Sequence, residues 1–313
     1  MGYIRLKNGQ VALRPKTNLK WQEMQIISYD IALSWTGVVY GGDKFVALPD
    51  AGRTSAQSTD GITWTETTWQ GKELQGTTLT YGDNKYVAAG AYSTDGVTWT
   101  ETTMPALQGD DQTFYSKTLY GNDKFVAVGR SYNGAYSTDG ITWTQMNMPS
   151  FREWNNVAYG NGIYVATSSD EYSAYYPQIE DRKFIARSTD GINWTAVTPL
   201  FENTILALIY ANGQFFALST TEIGHSSDGE TWQISQHKLS FIPRVISYGN
   251  NKFIVLGWNT NSWAYSSDGI NWTETTSIDK KSWRSMAYGN GKFVATASQN
   301  NNGAYLDASN FNK

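Results

Sequence analysis

The 313-residue sequence predicts an all-β protein: a seven-bladed β-propeller of four-stranded antiparallel blades. Three observations predict it. A Tyr-led phrase recurs seven times, opening at Tyr40, Tyr81, Tyr120, Tyr159, Tyr210, Tyr248 and Tyr288, with spacings of 41, 39, 39, 51, 38 and 40 residues. A second phrase follows six of these openers, as in Ser58–Trp64 (STDGITW). The composition is rich in rings and glycine, with 13 Trp, 20 Tyr, 12 Phe and 29 Gly. About 40 residues and four strands per unit is propeller arithmetic, because one small sheet cannot bury both faces and a ring of them can.

The third unit shows the expected strands. Strand A is Phe114–Tyr120, turned at Gly121-Asn122-Asp123 into strand B, Lys124–Val128. Gly134–Ser137 is strand C and Thr142–Met146 is strand D. Asn, Asp and Gly at the turn tolerate the positive φ that tight hairpins require. Strand B is a continuous apolar run, as in a strand covered on both faces. Strand D alternates, as in Trp64-Thr65-Glu66-Thr67, which suits an outer strand with one wet face. The best helical candidate, Leu19–Leu33, also reads as a strand followed by a loop.

The last unit lacks a strand D, and its second phrase is eroded to Asp307–Phe311. Lys20–Met24 near the N-terminus resembles a strand D without a unit. Residues 1–28 are therefore expected to supply a hairpin (Tyr3–Arg14, turned at Asn8-Gly9) and a strand that completes the seventh blade with Trp21. Residues 1–313 then form a single domain.

Charge and composition exclude several classes. Without Cys there is neither a disulfide framework nor a thiolate metal site. A net charge of −4 argues against affinity for a nucleic-acid backbone. No stretch approaches the ~18 apolar residues of a membrane-spanning helix. The segment MGYIRLKNGQ has no apolar run of the kind that marks a secretory signal. These readings predict no nucleic-acid partner and no membrane insertion.

The second phrase pairs Asp60 with Trp64, Asp95 with Trp99, Asp139 with Trp143, Asp190 with Trp194, Asp228 with Trp232 and Asp268 with Trp272. The carboxylate is expected to accept backbone N–H bonds of its own turn, Gly to supply positive φ, and Trp to pack between blades. Six equivalent copies are scaffold, since catalysis needs one asymmetric constellation. The phrase resembles the Asp-box (BNR) repeat of sialidase-like propellers, over roughly Tyr40–Thr276. It departs from that pattern in placing Asp and Gly side by side. The longer phrasing, Tyr-Gly-Asn-Gly-Lys-Phe-Val-Ala and then Tyr-Ser-Thr-Asp-Gly-Ile-Thr-Trp, is similar to repeats of phage tail fibres and receptor-binding proteins. That resemblance implies a virion or extracellular protein, made in the cytoplasm, recognising cell-surface glycans as a homo-oligomer or fused to a tail-fibre stem. The lack of Cys and of a secretory signal is equally compatible with a cytoplasmic protein.

Candidate ligand residues lie where the repeat breaks. Hairpin alternation puts the B–C and D–A connections on one face, and these vary most. They carry Trp258, Asn259, Asn261 and Trp263 in the sixth unit, Tyr132 in the third, and Tyr172, Tyr175 and Tyr176 in the long connection of the fourth. A further set lies five residues before the openers. Trp35, Trp154 and Trp283 are expected there to surround the axial mouth, with Arg284, Arg244, Arg152 and Asn155 nearby. Aromatic faces beside amides and guanidinium groups suit sugars, and the same rings serve equally well as packing.

A glycosidase needs two carboxylates across the scissile bond. Glu153, Glu202, Asp110 and Asp111 are available, but nothing in the sequence pairs them. The Phe/Tyr-Arg-Ile-Pro motif of sialidases has no match, since Phe241-Ile242-Pro243-Arg244 has the letters in another order. With only His225 and His237, a His-based triad or metal site is not expected. Asp110-Asp111 reads as a solvated loop rather than a Ca²⁺ site, and no cofactor is expected. The sequence therefore favours a binder over an enzyme. The alternatives are a sialidase-like hydrolase or lyase and a protein-interaction scaffold.

Overall fold

The computed structural model describes residues 3–5, 11–13, 19–27, 34–70, 73–75, 79–109, 114–168, 184–198, 201–298 and 303–312. The described residues are almost entirely strand and turn, with one 3-10 turn at Ala308–Asn312.

Each Tyr-led phrase is an A–B hairpin with the same register. Tyr40 lies opposite Phe45, Tyr81 opposite Tyr86, Tyr120 opposite Phe125 and Tyr159 opposite Tyr164. Tyr210 faces Phe215, Tyr248 faces Phe253 and Tyr288 faces Phe293. The turns use positive φ where the sequence offers Asn, Asp or Gly, for example Asn122 (49°) and Asp123 (54°). Strand B residues such as Phe125–Val128 are fully buried because strands A and C flank them and neighbouring units cover both faces.

Consecutive A strands pack side by side, and the strand carrying Tyr288 packs beside Trp35–Gly41 of the first unit. The openers set this spacing. A Cβ on Gly41 would lie 2.1 Å from the ring of Tyr81, and one on Gly289 would lie 2.0 Å from Tyr40. Glycine is therefore required where one unit's opener rests on the preceding unit. Asn290 Nδ2 also donates to the Thr59 carbonyl at 3.0 Å, joining the last unit to the first.

The hydrogen bonding does not divide into seven separate four-stranded sheets as predicted. Units two and five are four-stranded, and unit one has a fifth strand. Units three and four share one six-stranded sheet, as do units six and seven. The cause is local. Thr144–Gly160 and Thr273–Gly289 each run unbroken from strand D of one unit into strand A of the next. Thr144–Gly160 stays extended even through Pro149. Strands B and C of units three and six likewise merge, in Lys124–Ser137 and Lys252–Ser266.

The N-terminal segment bridges the two ends of the chain. Gln22–Glu23 pairs antiparallel with Gly303–Asp307, Glu23 opposite Ala304, and Gln25–Ile27 pairs in parallel with Thr63–Thr68 of unit one. Trp21 is buried between Trp263 (6.0 Å) and Trp283 (6.2 Å). Tyr3–Arg5 and Val11–Leu13 form a separate antiparallel hairpin.

The six Ser-x-Asp-Gly-x-x-Trp turns fold alike. In the first, Asp60 Oδ1 accepts from Ile62 N (2.7 Å), Thr63 N (2.9 Å) and Ser58 Oγ (2.9 Å), while Ser58 Oγ accepts from Gly61 N (2.8 Å). The glycine of each turn presses on strand B of the preceding unit, Gly96 on Val46 and Gly140 on Val87. For Gly61 that neighbour is Val294 of the last unit. Five of the six Trp are buried, and Trp272 is partly so. Burial opposes ionisation of Asp95, but bonds from Thr98, Val97 and Ser93 outweigh it and hold its pKa at about 2.

Candidate functional site

Strand A turns residues into the axis by a device that alternation does not reveal. In six units the A–B register slips between the residues five and three before the opener, as at Trp35/Gly37, Tyr115/Lys117 and Trp154/Asn156. The same slip occurs at Ile205/Ala207, Pro243/Val245 and Trp283/Ser285. The skipped residue is a bulge, and a bulge re-aims the side chain it carries. Thr36, Ser116, Asn155, Leu206, Arg244 and Arg284 are the skipped residues, and all six line one cavity of about 370 Å³ where the A strands converge.

This corrects the expected mouth ring. Trp35, Trp154 and Trp283 are buried in blade cores and do not surround the axis. Their positions face strand B packing, and the bulge one residue later delivers the axial side chain instead. Arg152 is also elsewhere, buried with its guanidinium carbon 4.6 Å from the ring centre of Phe184. Arg244, Arg284 and Asn155 do reach the channel.

Lys117, Asn156 and Ser285 also line that cavity, and they continue with Arg244 and Arg284 into an adjoining space of about 100 Å³. Water reaches Lys117 along the channel although protein surrounds it, and that burial lowers its pKa below the ordinary lysine value. Partial burial and the neighbouring Arg244 cation lower the pKa of Arg284, with Asp50 opposing. Glu153 is the carboxylate among the cavity's lining residues, and its Oε1 accepts from Asn155 Nδ2 at 3.4 Å.

Trp258 lies beside two of the channel's lining residues, Arg244 and Arg284. It is 41% exposed, with the guanidinium carbon of Arg284 4.9 Å and that of Arg244 5.4 Å from its ring centre. Its N–H donates to the Ile242 carbonyl (3.2 Å), and the strand bulges immediately after it at Asn259, whose φ is 49°. Tyr132 is 54% exposed on the corresponding connection of unit three. It is held between two buried anchors. Ser131 Oγ donates to the Gln108 carbonyl (2.8 Å), and Asn133 Nδ2 donates to the Ala106 carbonyl (3.1 Å). Phe114 and Ile242, at the starts of strands A in the same two units, are exposed at this end too. The sequence reading missed both, together with Lys117 and Asn156. Aligning the units on their openers places Lys117 three residues before Tyr120, where the other described units have Gly37, Asn156, Ala207, Val245 and Ser285. An isolated cation at that offset was the available signal.

The other candidates separate. Trp263 is fully buried, packed among Trp21, Trp283 and Ile278, so it offers no ligand face. Alternation turns it inward. Asn261 lines a different, outer groove of about 870 Å³ with Lys20, Glu23 and Lys281. Tyr172, Tyr175, Tyr176, Asp110 and Asp111 lie outside the described residues. His225 stacks near Phe216 (6.2 Å), and His237 Nε2 lies 3.2 Å from the Ser219 carbonyl; neither lines the channel. Glu202 lies in a connection whose backbone N–H groups at Glu202 and Asn203 donate to buried Glu222. Among the described residues no group of three or more His, Asp or Glu is placed to hold a metal, and no helix is long and apolar enough to cross a membrane.

Solved structures share this architecture. Virginiamycin B lyase from Staphylococcus aureus superposes with a TM-score of 0.75 at 13% identity, over 93% of this chain and 99% of that one. The fold is an all-β propeller. A structure of YCF48 bound to D1 peptide gives 0.68 at 14% identity, over 92% and 95%. The WD40 β-propeller domain of Doa1 gives 0.64 at 10% identity, over 92% and 96%. No protein-family model and no curated protein sequence matches the chain, so the likeness is one of fold.

Proposed function

We propose that this chain is a closed seven-bladed propeller that binds cell-surface carbohydrate without catalysis, on the face where Trp258 lies beside Arg244 and Arg284 of the axial channel. Seven A–B hairpins, each resting on the next, support the count. The contact of Gly289 with Tyr40 and the pairing of Glu23 with Ala304 support closure. The observation that carries the function is the exposed indole of Trp258, flanked by two guanidinium groups. An indole face accepts the C–H face of a sugar, and Arg donates to its hydroxyls. Bulges and backbone bonds fix both before any ligand arrives, which lowers the ordering cost of binding. Single sites of this kind are weak, and oligomeric display on a virion or cell exterior supplies avidity.

The lyase likeness carries less. A histidine-to-alanine variant of the Staphylococcus aureus lyase, solved with quinupristin, is catalytically inactive. Here both His lie away from the channel. A second reading, a peptide-binding scaffold, is favoured by exposed Ile242 and Phe114 on the same face and by the peptide-bound YCF48 structure.

A glycan array probed with the wild-type chain and with Trp258→Ala tests the proposal. Binding to a defined glycan group that the variant loses is the expected result. No glycan bound by wild type, or equal binding by the variant, overturns it, and capture of peptides instead would establish the scaffold reading.

A further inference from the structure

The protein carries a net charge of −4, yet its axial channel concentrates positive charge. Lys117, Arg244 and Arg284 enter it from the third, sixth and seventh A strands, against Glu153. The bulges at Arg244 and Arg284 are what deliver two of these cations to the axis. The hydroxyls of Thr36 and Ser116 line the same space, while Ser285 Oγ accepts from Val38 N, Asn155 Nδ2 donates to Glu153 and Asn156 Nδ2 donates to Thr167. No hydrogen bond or ion pair of Lys117 is found among the described residues. Arg244 and Arg284 lean on the indole of Trp258, and Arg284 feels Asp50.

Like charges gathered in a walled space repel one another more strongly than in bulk water. The arrangement costs folding free energy unless something of opposite charge enters. Cavities lined by one sign of charge also focus their field and concentrate counter-ions. Burial lowers the pKa of Lys117 below the ordinary lysine value.

We propose that the channel is a binding site for a small, multiply charged oxyanion, held by Lys117, Arg244 and Arg284. The chemistry recognised is that of phosphate, sulfate or clustered carboxylates. A guanidinium pair takes planar or tetrahedral oxygens through paired N–H bonds, and the lysine serves as a point charge from a third direction. The cavity of about 370 Å³ suits a small molecule or one terminal group of a larger one. This goes beyond the carbohydrate reading. Lys117 is outside the Trp258 cluster, so the two can fail separately.

Thermal unfolding and titration calorimetry at low ionic strength test it. The probes are inorganic phosphate, sulfate and citrate, with chloride at matched ionic strength as control. At least one oxyanion is expected to raise the melting temperature of wild type and to bind with an affinity that falls as salt is added. Lys117→Met and Arg284→Gln should each weaken that binding at least tenfold. Lys117→Met should also raise the melting temperature without ligand, because it removes one of three like charges that exceed the single carboxylate of Glu153, and should keep any neutral glycan bound by wild type. Preference for phosphate or sulfate over citrate identifies a tetrahedral ligand, and the reverse a carboxylate. No oxyanion effect beyond chloride, or the same effect in Lys117→Met and Arg284→Gln, overturns the proposal.

Discussion

Arg284 places its guanidinium carbon 4.9 Å from the ring centre of Trp258 while the same side chain lines the axial channel. The Trp258 cluster and the channel thus share one residue, which a bulge turned inward. Arg284→Ala should therefore weaken carbohydrate binding about tenfold, roughly the 1.4 kcal/mol of a charged hydrogen bond from the guanidinium to a sugar hydroxyl. Arg284→Lys should recover only part of this, because an ammonium keeps the charge and loses the planar fork. Calorimetric titration of the three proteins with a glycan bound by wild type checks the order. Equal affinities would separate Arg284 from the carbohydrate site.

Trp258 and Trp263 occupy one strand and should behave in opposite ways. Trp258→Ala removes a half-exposed ring with two guanidinium contacts and should cost only about 1–2 kcal/mol of stability while abolishing binding. Trp263→Ala empties a site filled by Trp21, Trp283 and Ile278 and should cost about 3–5 kcal/mol. Urea unfolding of both variants measures the contrast. A large loss for Trp258→Ala would make it a packing residue.

These two tryptophans show where the sequence was legible. The openers and the Asp turns repeat in letters because the same contact recurs in every unit, as with Asp60, Asp95 and Asp139. The axial residues do not repeat in type, and the bulge that aims them is invisible to a period-two reading. Counting back five residues from the openers puts Trp35, Trp154 and Trp283 at the axial mouth, whereas the bulge sends Thr36, Asn155 and Arg284 there. The merging of units three and four into one sheet was equally hidden, since it depends on Met146–Phe151 remaining extended through a connection.

Acid should loosen the Asp turns within a defined window. Burial disfavours the charged forms of Asp95 and Asp139, but turn hydrogen bonds prevail and hold both pKa values at about 2. The unfolded chain has the ordinary value near 3.9. A lowered folded-state pKa contributes stability that is complete above the unfolded value and is lost as pH falls through the folded one. The urea midpoint should thus fall between about pH 4 and pH 2. Asp95→Asn should be less stable than wild type at pH 7, and the difference should shrink toward pH 2. A difference independent of pH would mean that the carboxylate charge contributes nothing to the turn.

Closure of the ring can be tested at its seam. Gly289→Ala would place a methyl carbon about 2.0 Å from Tyr40, so the last unit must shift away from the first. Overpacking of this kind costs about 1–3 kcal/mol. The cross-strand pair Glu23 and Ala304 offers the opposite perturbation. With no native Cys to compete, Glu23→Cys with Ala304→Cys can form one bond across the seam. That bond closes nearly the whole chain into a loop, and long loops gain most from cross-linking. The oxidised double variant should melt well above its reduced form and should offset the loss from Gly289→Ala. If the seam opens independently of the remaining units, differential scanning calorimetry of Gly289→Ala should resolve a first, smaller transition that oxidation removes. A single transition unmoved by oxidation would mean that the N-terminal strand does not hold the ring.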